Sequence, residues 1–211
     1  MTIRPLLAAL VLCAACSATP HKEPPPLTEA MYPWHLQPPS ALPGDFLWQQ
    51  RLTAHVAGEE HSLKAVLQKQ GNHLILIGLT PFGTKAFLLE QLDMAVTFQS
   101  FVDRKLPFPP RFVLNDVQRC YLALGDPATQ PKDGEERVAL DGEELVQTFV
   151  GGHLSERRFR RLDGKPAGEV RVIYRNWTAA GVAQDVVLDN RWFGYSMDIE
   201  TLSAKALPPA P

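Results

Sequence analysis

From Phe46 onward apolar and polar positions alternate with period two, the signature of half-buried strands. Trp48, Leu52, Ala54 and Val56 share one face of a first strand. Leu63, Ala65 and Leu67 share one face of a second, and Gly58-Glu59-Glu60 suits the hairpin between them. After Gly71-Asn72, the stretch His73–Leu79 carries Leu74-Ile75-Leu76-Ile77, apolar on both faces, as expected where a sheet is covered on each side or borders a cavity. Pro81-Phe82-Gly83 turns the chain, Phe87 and Leu89 alternate with Ala86 and Leu88, and Met94, Val96 and Phe98 continue a meander of five strands over residues 46–101. Pro107-Phe108-Pro109-Pro110 then breaks the sheet. Val113, Val117, Tyr121 and Leu124 follow at helical spacing and predict a helix of about four turns lying across the sheet.

Residues 125–144 are polar and acidic and read as a loop or short ragged elements, a solvated face rather than a metal site because no carboxylates sit at ligand spacing. Leu154–Arg161 and Glu169–Trp177 flank Asp163-Gly164-Lys165-Pro166, a strong hairpin signal. Val186–Leu188 and the alternating Phe193, Tyr195, Met197 and Ile199 close the pattern. The expected fold is mainly β (α+β): a strongly curved antiparallel sheet, a half-barrel of about 9–11 strands, with a helical lid.

The 211 residues are 45% apolar and 21% charged, enough for one core, and a net charge of −2 lacks the cationic surplus of a nucleic-acid binder. Met1 to Arg4 supplies a positive start, Leu6–Leu12 an apolar stretch and Ala14-Ala15-Cys16 a small-small-Cys ending, the pattern of a bacterial lipoprotein signal peptide. Residues 1–15 are therefore expected to be removed and Cys16 lipidated, with Ser17 pointing to the outer membrane. Residues 16–44 are rich in proline and read as an extended tether, 45–203 as the folded domain and 204–211 as a disordered tail. Tyr32 and Trp34, within the tether, read either as a partner motif or as aromatics folded back on the domain. Cys120 reads as a buried free thiol and Lys69 as a surface position.

Catalytic motifs are missing from the sequence: no H-E-x-x-H, G-x-S-x-G, P-loop or G-x-G-x-x-G is present. Gly151-Gly152-His153 reads as a strand-entry turn, His61 and His73 as strand residues, and no metal or cofactor is expected. Arg157, Arg158, Arg160, Arg161, Arg171 and Arg175 make the late hairpin basic, suited either to acidic headgroups or to pairing with Glu156 and Glu169.

The run Leu74–Leu89 resembles the strand, Pro-hydrophobic-Gly turn and strand of the LolA/LolB-like outer-membrane lipoproteins. Phe108–Gly125 is similar to that family's Pro-rich entry and amphipathic helix, Leu154–Tyr174 to its late hairpin and Asp189–Ile199 to its closing strands. Asp116-Val117-Gln118 adds a D-x-Q pattern that resembles, more closely, uncharacterised lipoproteins encoded beside aryl polyene and fatty-acid-synthase-like gene clusters. The resemblance implies a non-catalytic protein that binds an acylated or hydrophobic molecule in its concave face. It also implies a lipid or acyl-chain ligand, a LolA-like periplasmic carrier as partner, and attachment to the periplasmic face of the outer membrane through the lipid anchor. Cavity candidates are Leu63, Leu67, Leu74, Leu76, Phe87, Leu89, Val96, Phe98, Val113, Val117 and Tyr121, and Phe82 takes the place of the family's membrane-touching turn residue. The other class in play is a structural lipoprotein that docks a partner and binds no lipid. An open cavity between helix and sheet favours the carrier; a filled one favours the scaffold.

Overall fold

The computed structural model describes residues 27–103, 109–124 and 132–209. Eleven strands form one antiparallel sheet, which curves but does not close into a barrel. In chain order they are β1 (Phe46–Val56), β2 (Glu59–Gln70), β3 (His73–Leu79), β4 (Lys85–Leu92), β5 (Ala95–Ser100), β6 (Gly134–Leu140), β7 (Glu143–Val150), β8 (His153–Arg161), β9 (Glu169–Trp177), β10 (Ala183–Asn190) and β11 (Tyr195–Ala206). The sheet order is β5-β4-β3-β2-β1-β11-β10-β9-β8-β7-β6, so two meanders join through β1 and β11, and β5 and β6 are the free edges. One α-helix, α1 (Pro110–Tyr121), separates the meanders in sequence and packs on the concave face.

Strand alternation is realised as expected. Leu67, Leu74, Leu76, Leu89, Leu145, Phe159, Val172 and Leu188 point inward and are almost fully buried. The two-sided apolar strand β3 has a further requirement: a Cβ on Gly78 would lie 2.2 Å from the ring of its cross-strand partner Phe87, so glycine is what lets that ring lie flat on the sheet. Gly83, at φ +80°, completes the turn from β3 to β4 that Pro81 opens.

Several expectations are corrected. The acidic stretch within 125–144 contains β6 and the start of β7 in its described part. Its period-two signal is obscured because the outward residues are charges paired across strands, Arg137 with Glu144 and Glu135 with Arg158. The helix has twelve residues, about three turns rather than four, and Leu124 lies beyond its end. The expected stripe Val113, Val117 and Tyr121 is only half-buried, whereas Phe112, Leu114, Asn115, Asp116, Gln118, Arg119 and Cys120 are buried, because a second layer covers the helix. That layer is part of the expected tether. From Leu27 the chain runs along the concave face through short 3-10 turns at Glu29–Met31 and Pro39–Ala41 and buries Tyr32, Leu36 and Leu42. Finally, residues 204–206 belong to β11, paired with Trp48, Leu47 and Phe46, rather than to a tail.

Lys69 is also inside rather than on the surface: only 5% exposed, it donates to the Gly44 carbonyl (2.8 Å) and to Asp45 (2.7 Å), whose carboxylate also accepts from the Gly71 amide. This buried pair fixes the point where the N-terminal segment turns into β1.

Candidate functional site

Helix α1 divides the concave face into two unlike regions. Along the helix itself the space is closely filled. Between helix and sheet a void of about 30 Å³ remains, lined by Leu67, Leu76, Val113, Val117, Tyr121 and residues of β1, β10 and β11. The N-terminal segment, here called the strap, fills the rest. Tyr32 sets its ring against Phe112 (5.0 Å between centroids), Trp192 (6.3 Å) and Phe193 (5.4 Å), and Trp34 lies edge-on to Phe159 of β8 (6.3 Å).

Three adjacent polar residues of α1 hold the strap. Asp116 accepts a hydrogen bond from the Tyr32 hydroxyl (2.6 Å) and another from Tyr195, and burial pushes its carboxyl up to about 6 while those hydroxyls, Arg119 and Asn190 pull it down. Gln118 reads the backbone of Gln37, accepting from its N–H (2.8 Å) and donating to its carbonyl (2.6 Å), and it also accepts from the Trp34 indole (3.1 Å). Arg119, fully buried, forms a two-pronged pair with Glu143 (2.9 and 3.0 Å) and donates to the Tyr32 hydroxyl (3.1 Å). Its guanidinium lies 4.4–5.3 Å from the ring centroids of Tyr32, Trp34, Phe159 and Trp192.

Just beyond these residues the helix terminates in a second polar arrangement. Arg157 donates to the Arg119 (2.9 Å), Cys120 (3.3 Å) and Leu122 (2.7 Å) carbonyls, and the Tyr174 hydroxyl to that of Cys120 (2.8 Å). These groups satisfy the unpaired carbonyls of the helix end and place a cation at its negative pole. Immediately beyond them the concave face opens into a cavity of about 520 Å³. One wall is Phe46 stacked on Trp48 (4.0 Å), with Tyr121 edge-on to Trp48 (4.9 Å); the other is Tyr174 and Trp177. Leu122, Leu154 and Ala183 line it further, residues 180–182 of the β9–β10 loop form a lip, and Lys205 stands on the rim. Burial raises the Cys120, Tyr121 and Tyr174 pKa values well above their ordinary ranges, so all three stay neutral.

Of the cavity candidates read from sequence, Leu67, Leu76, Val113, Val117 and Tyr121 meet at the small void, and Tyr121 alone also reaches the large cavity. Leu74, Phe87 and Leu89 are buried in the core, Leu63 is half-buried, and Val96 and Phe98 lie on edge strand β5. None of these six lines the cavity. Phe82, at the tip of the β3–β4 turn, is 94% exposed. Cys16 falls outside the described residues. The cavity-lining Phe46, Trp48, Leu154, Tyr174 and Trp177 are not among the candidates read from sequence; the available signal is aromatic residues grouped toward the ends of interior strands. In the basic hairpin, Arg157 is used internally, and Arg158, Arg160, Arg161 and Arg171 pair with nearby carboxylates.

No curated protein matches the chain. Among solved structures, an outer membrane lipoprotein-sorting protein domain from Vibrio parahaemolyticus is 11% identical, with a TM-score of 0.46 over 80% of this chain and 87% of that one. A LolA superfamily protein from Nitrosomonas europaea is 9% identical, with a TM-score of 0.45 over 83% and 90%. A DUF1329 family protein from Desulfovibrio piger is 12% identical, with a TM-score of 0.34 over 77% and 85%. A protein-family profile described as protein of unknown function (DUF3261) matches residues 47–203, the whole sheet except its outermost residues, together with the helix. The chain belongs to the DUF3261 family.

Proposed function

We propose that this protein is a non-catalytic, lipid-anchored protein of the outer membrane's periplasmic face that binds an acyl chain in the cavity at the C-terminal end of α1. The observation that carries the reading is the cavity itself, about 520 Å³ between aromatic walls, within the roughly 300–1,000 Å³ of small-molecule sites. An apolar chain lying between Trp48 and Trp177 leaves its polar head at the rim, near Lys205. The anchor is supported by the signal pattern ending at Cys16, and a periplasmic carrier of LolA type is the partner from which such a ligand would arrive. Phe82 serves in this reading as a membrane-contact residue, since burying one phenylalanine contributes roughly 1.5–3 kcal/mol, enough to orient an already tethered domain.

Native mass spectrometry of the purified protein tests the central point: a co-purified acyl lipid is expected, and its loss in Ala183→Phe, which fills the cavity, supports the site. A lipid-free protein that also binds no added fatty acid sinks it. The scaffold reading draws on the tightly filled space between helix and sheet, and that outcome would favour it. Cys16→Ser is expected to abolish acylation and processing; normal outer-membrane recovery of that variant would refute the anchor. Phe82→Glu is expected to slow transfer of bound lipid to liposomes with an unchanged melting temperature, and normal transfer would remove the membrane-contact role.

A further inference from the structure

We infer that the strap, residues 27–43, is an internal competitor that limits how deeply an acyl chain enters the concave face, and that a chain too long for the cavity binds by displacing it. The inference rests on the acyl-binding reading above.

The strap is docked like a ligand rather than woven into the sheet. No described hydrogen bond joins its backbone to a strand backbone until the Asp45 carbonyl, just past its end, accepts from Leu207; its own main-chain bonds are local turns, and its remaining polar contacts are to side chains. At its centre the Gln37 carbonyl receives the Gln118 and Gln91 amides. Its ring contacts run from Phe112, Trp192 and Phe193 to Phe159, and its second 3-10 turn rests on β2 and β3, so it crosses the trough from one side to the other.

Each residue that grips the strap also has a partner inside the domain. Arg119 keeps its two-pronged pair with Glu143 and its place over Phe159 and Trp192. Asp116 keeps Tyr195 and Asn190, and Gln118 keeps Gln91. Departure of the strap therefore leaves no buried charge without a counterpart, which removes the usual penalty for opening such a site. Docking is also imperfect at the Tyr32 end. Asn190 Oδ1 and Trp192 Nε1 are buried there without a hydrogen-bond partner among the described residues.

The cavity and the strap are continuous. Pro43 and Gly44, at the strap's end, form part of the cavity lining, as do Cys120 to Ala123 at the end of the gripping helix. A ligand that outgrows the cavity meets either the closed seam between helix and sheet, with its void of about 30 Å³, or the strap. The strap is the layer held by side chains alone, so it yields first. Apparent affinity for a long chain is then reduced by the small fraction of molecules with the strap undocked, whereas a short chain is unaffected.

Isothermal titration of the full chain with decanoate and octadecanoate, for wild type, Tyr32→Phe and Gln118→Ala, tests this, with a thermal melt of each variant to verify folding. Neither altered residue lines the cavity. Both variants are expected to bind octadecanoate more tightly, by about tenfold per decade lost from the docking equilibrium, with Gln118→Ala, which removes three hydrogen bonds to the strap, giving the larger change and decanoate unchanged in both. Equal changes for both acids, or weaker binding of both, would make the strap an ordinary part of the fold and overturn the inference while leaving the acyl site standing. Binding of neither acid to any form would overturn the acyl site and this inference with it. Hydrogen exchange on wild type gives a second reading without substitution: the Gln37 amide, which donates to Gln118, is expected to lose protection with octadecanoate and not with decanoate. Retained protection at saturation with octadecanoate would overturn displacement.

Discussion

The body of α1 and the space past its C-terminus differ in what completes them. Along the helix, the strap, Asp116 and Arg119 fill the concave face, and the void between helix and sheet is about 30 Å³. Past its last turn, Arg157 and Tyr174 satisfy the carbonyls, and a cavity of about 520 Å³ lies between aromatic walls. The same sheet thus makes a core under the helix and a pocket beyond it, and the difference lies in whether the strap, which precedes the matched family region, is laid over it. Stability and binding are expected to separate along this line.

The largest effect belongs to the filled end. Arg119→Ala leaves the buried Glu143 carboxylate with only the looser contact to Arg161 (3.8 Å) and is expected to cost about 3 kcal/mol in chemical denaturation. A loss under 1 kcal/mol would mean that this end is not the rigid one. Next comes pH. Burial raises the Asp116 carboxyl to about 6, so the folded protein holds a proton there that the unfolded chain has already released. Stability is therefore expected to fall as pH rises between about 4 and 6, by at most about 3 kcal/mol, and to level off above. Asp116→Asn should remove this component of the slope; an unaltered profile would place the responsible group elsewhere.

At the open end the effect is on ligand and not on fold. Ala183→Phe, filling the cavity, is expected to lower fatty-acid affinity at least about tenfold with the melting temperature moved by only a few degrees. A collapse in stability would show that the pocket has no room to spare. The smallest expected change is at Cys120, whose thiol burial raises far above its usual range. It should resist alkylation at pH 8 in the folded protein and react on denaturation. Modification at the rate of a free thiol would show that the helix end opens readily, and would erase the contrast between the two regions.

Strands β1–β5 and the late hairpin are legible because inward apolar residues recur at every second position, as in Leu63, Ala65 and Leu67 or Phe87 and Leu89, even where Val66 or Leu88 stands between them. The β6–β7 hairpin is not, since Glu135, Glu136, Arg137 and Glu144 give it the composition of a loop, and their pairing, Arg137 with Glu144 across the hairpin and Glu135 with Arg158 of β8, exists only in the folded sheet. The helix was found, yet its buried face was misread for a related reason. Asp116, Gln118 and Arg119 look solvated in a sequence, and their partners Tyr32, Gln37 and Glu143 lie 24 to 87 positions away. Proline-rich composition likewise predicts an extended segment without saying that a surface waits to receive it. The cavity was hidden because it is bounded by residues near the ends of β1, β9 and β11, where periodicity carries the least information.

The order of the strap's contacts along the chain gives it a direction under load. A pull on the polypeptide ahead of Leu27 reaches the Tyr32 hydroxyl and its bonds to Asp116 and Arg119 first, then Trp34, then Gln37, and so meets them one at a time, as in the peeling of a zip. Peeling ends at the buried Lys69–Asp45 pair, beyond which β1 is bonded on both sides, to β2 and to β11. The domain is thereby divided mechanically into a leader that can be stripped by small successive forces and a body that resists as a unit.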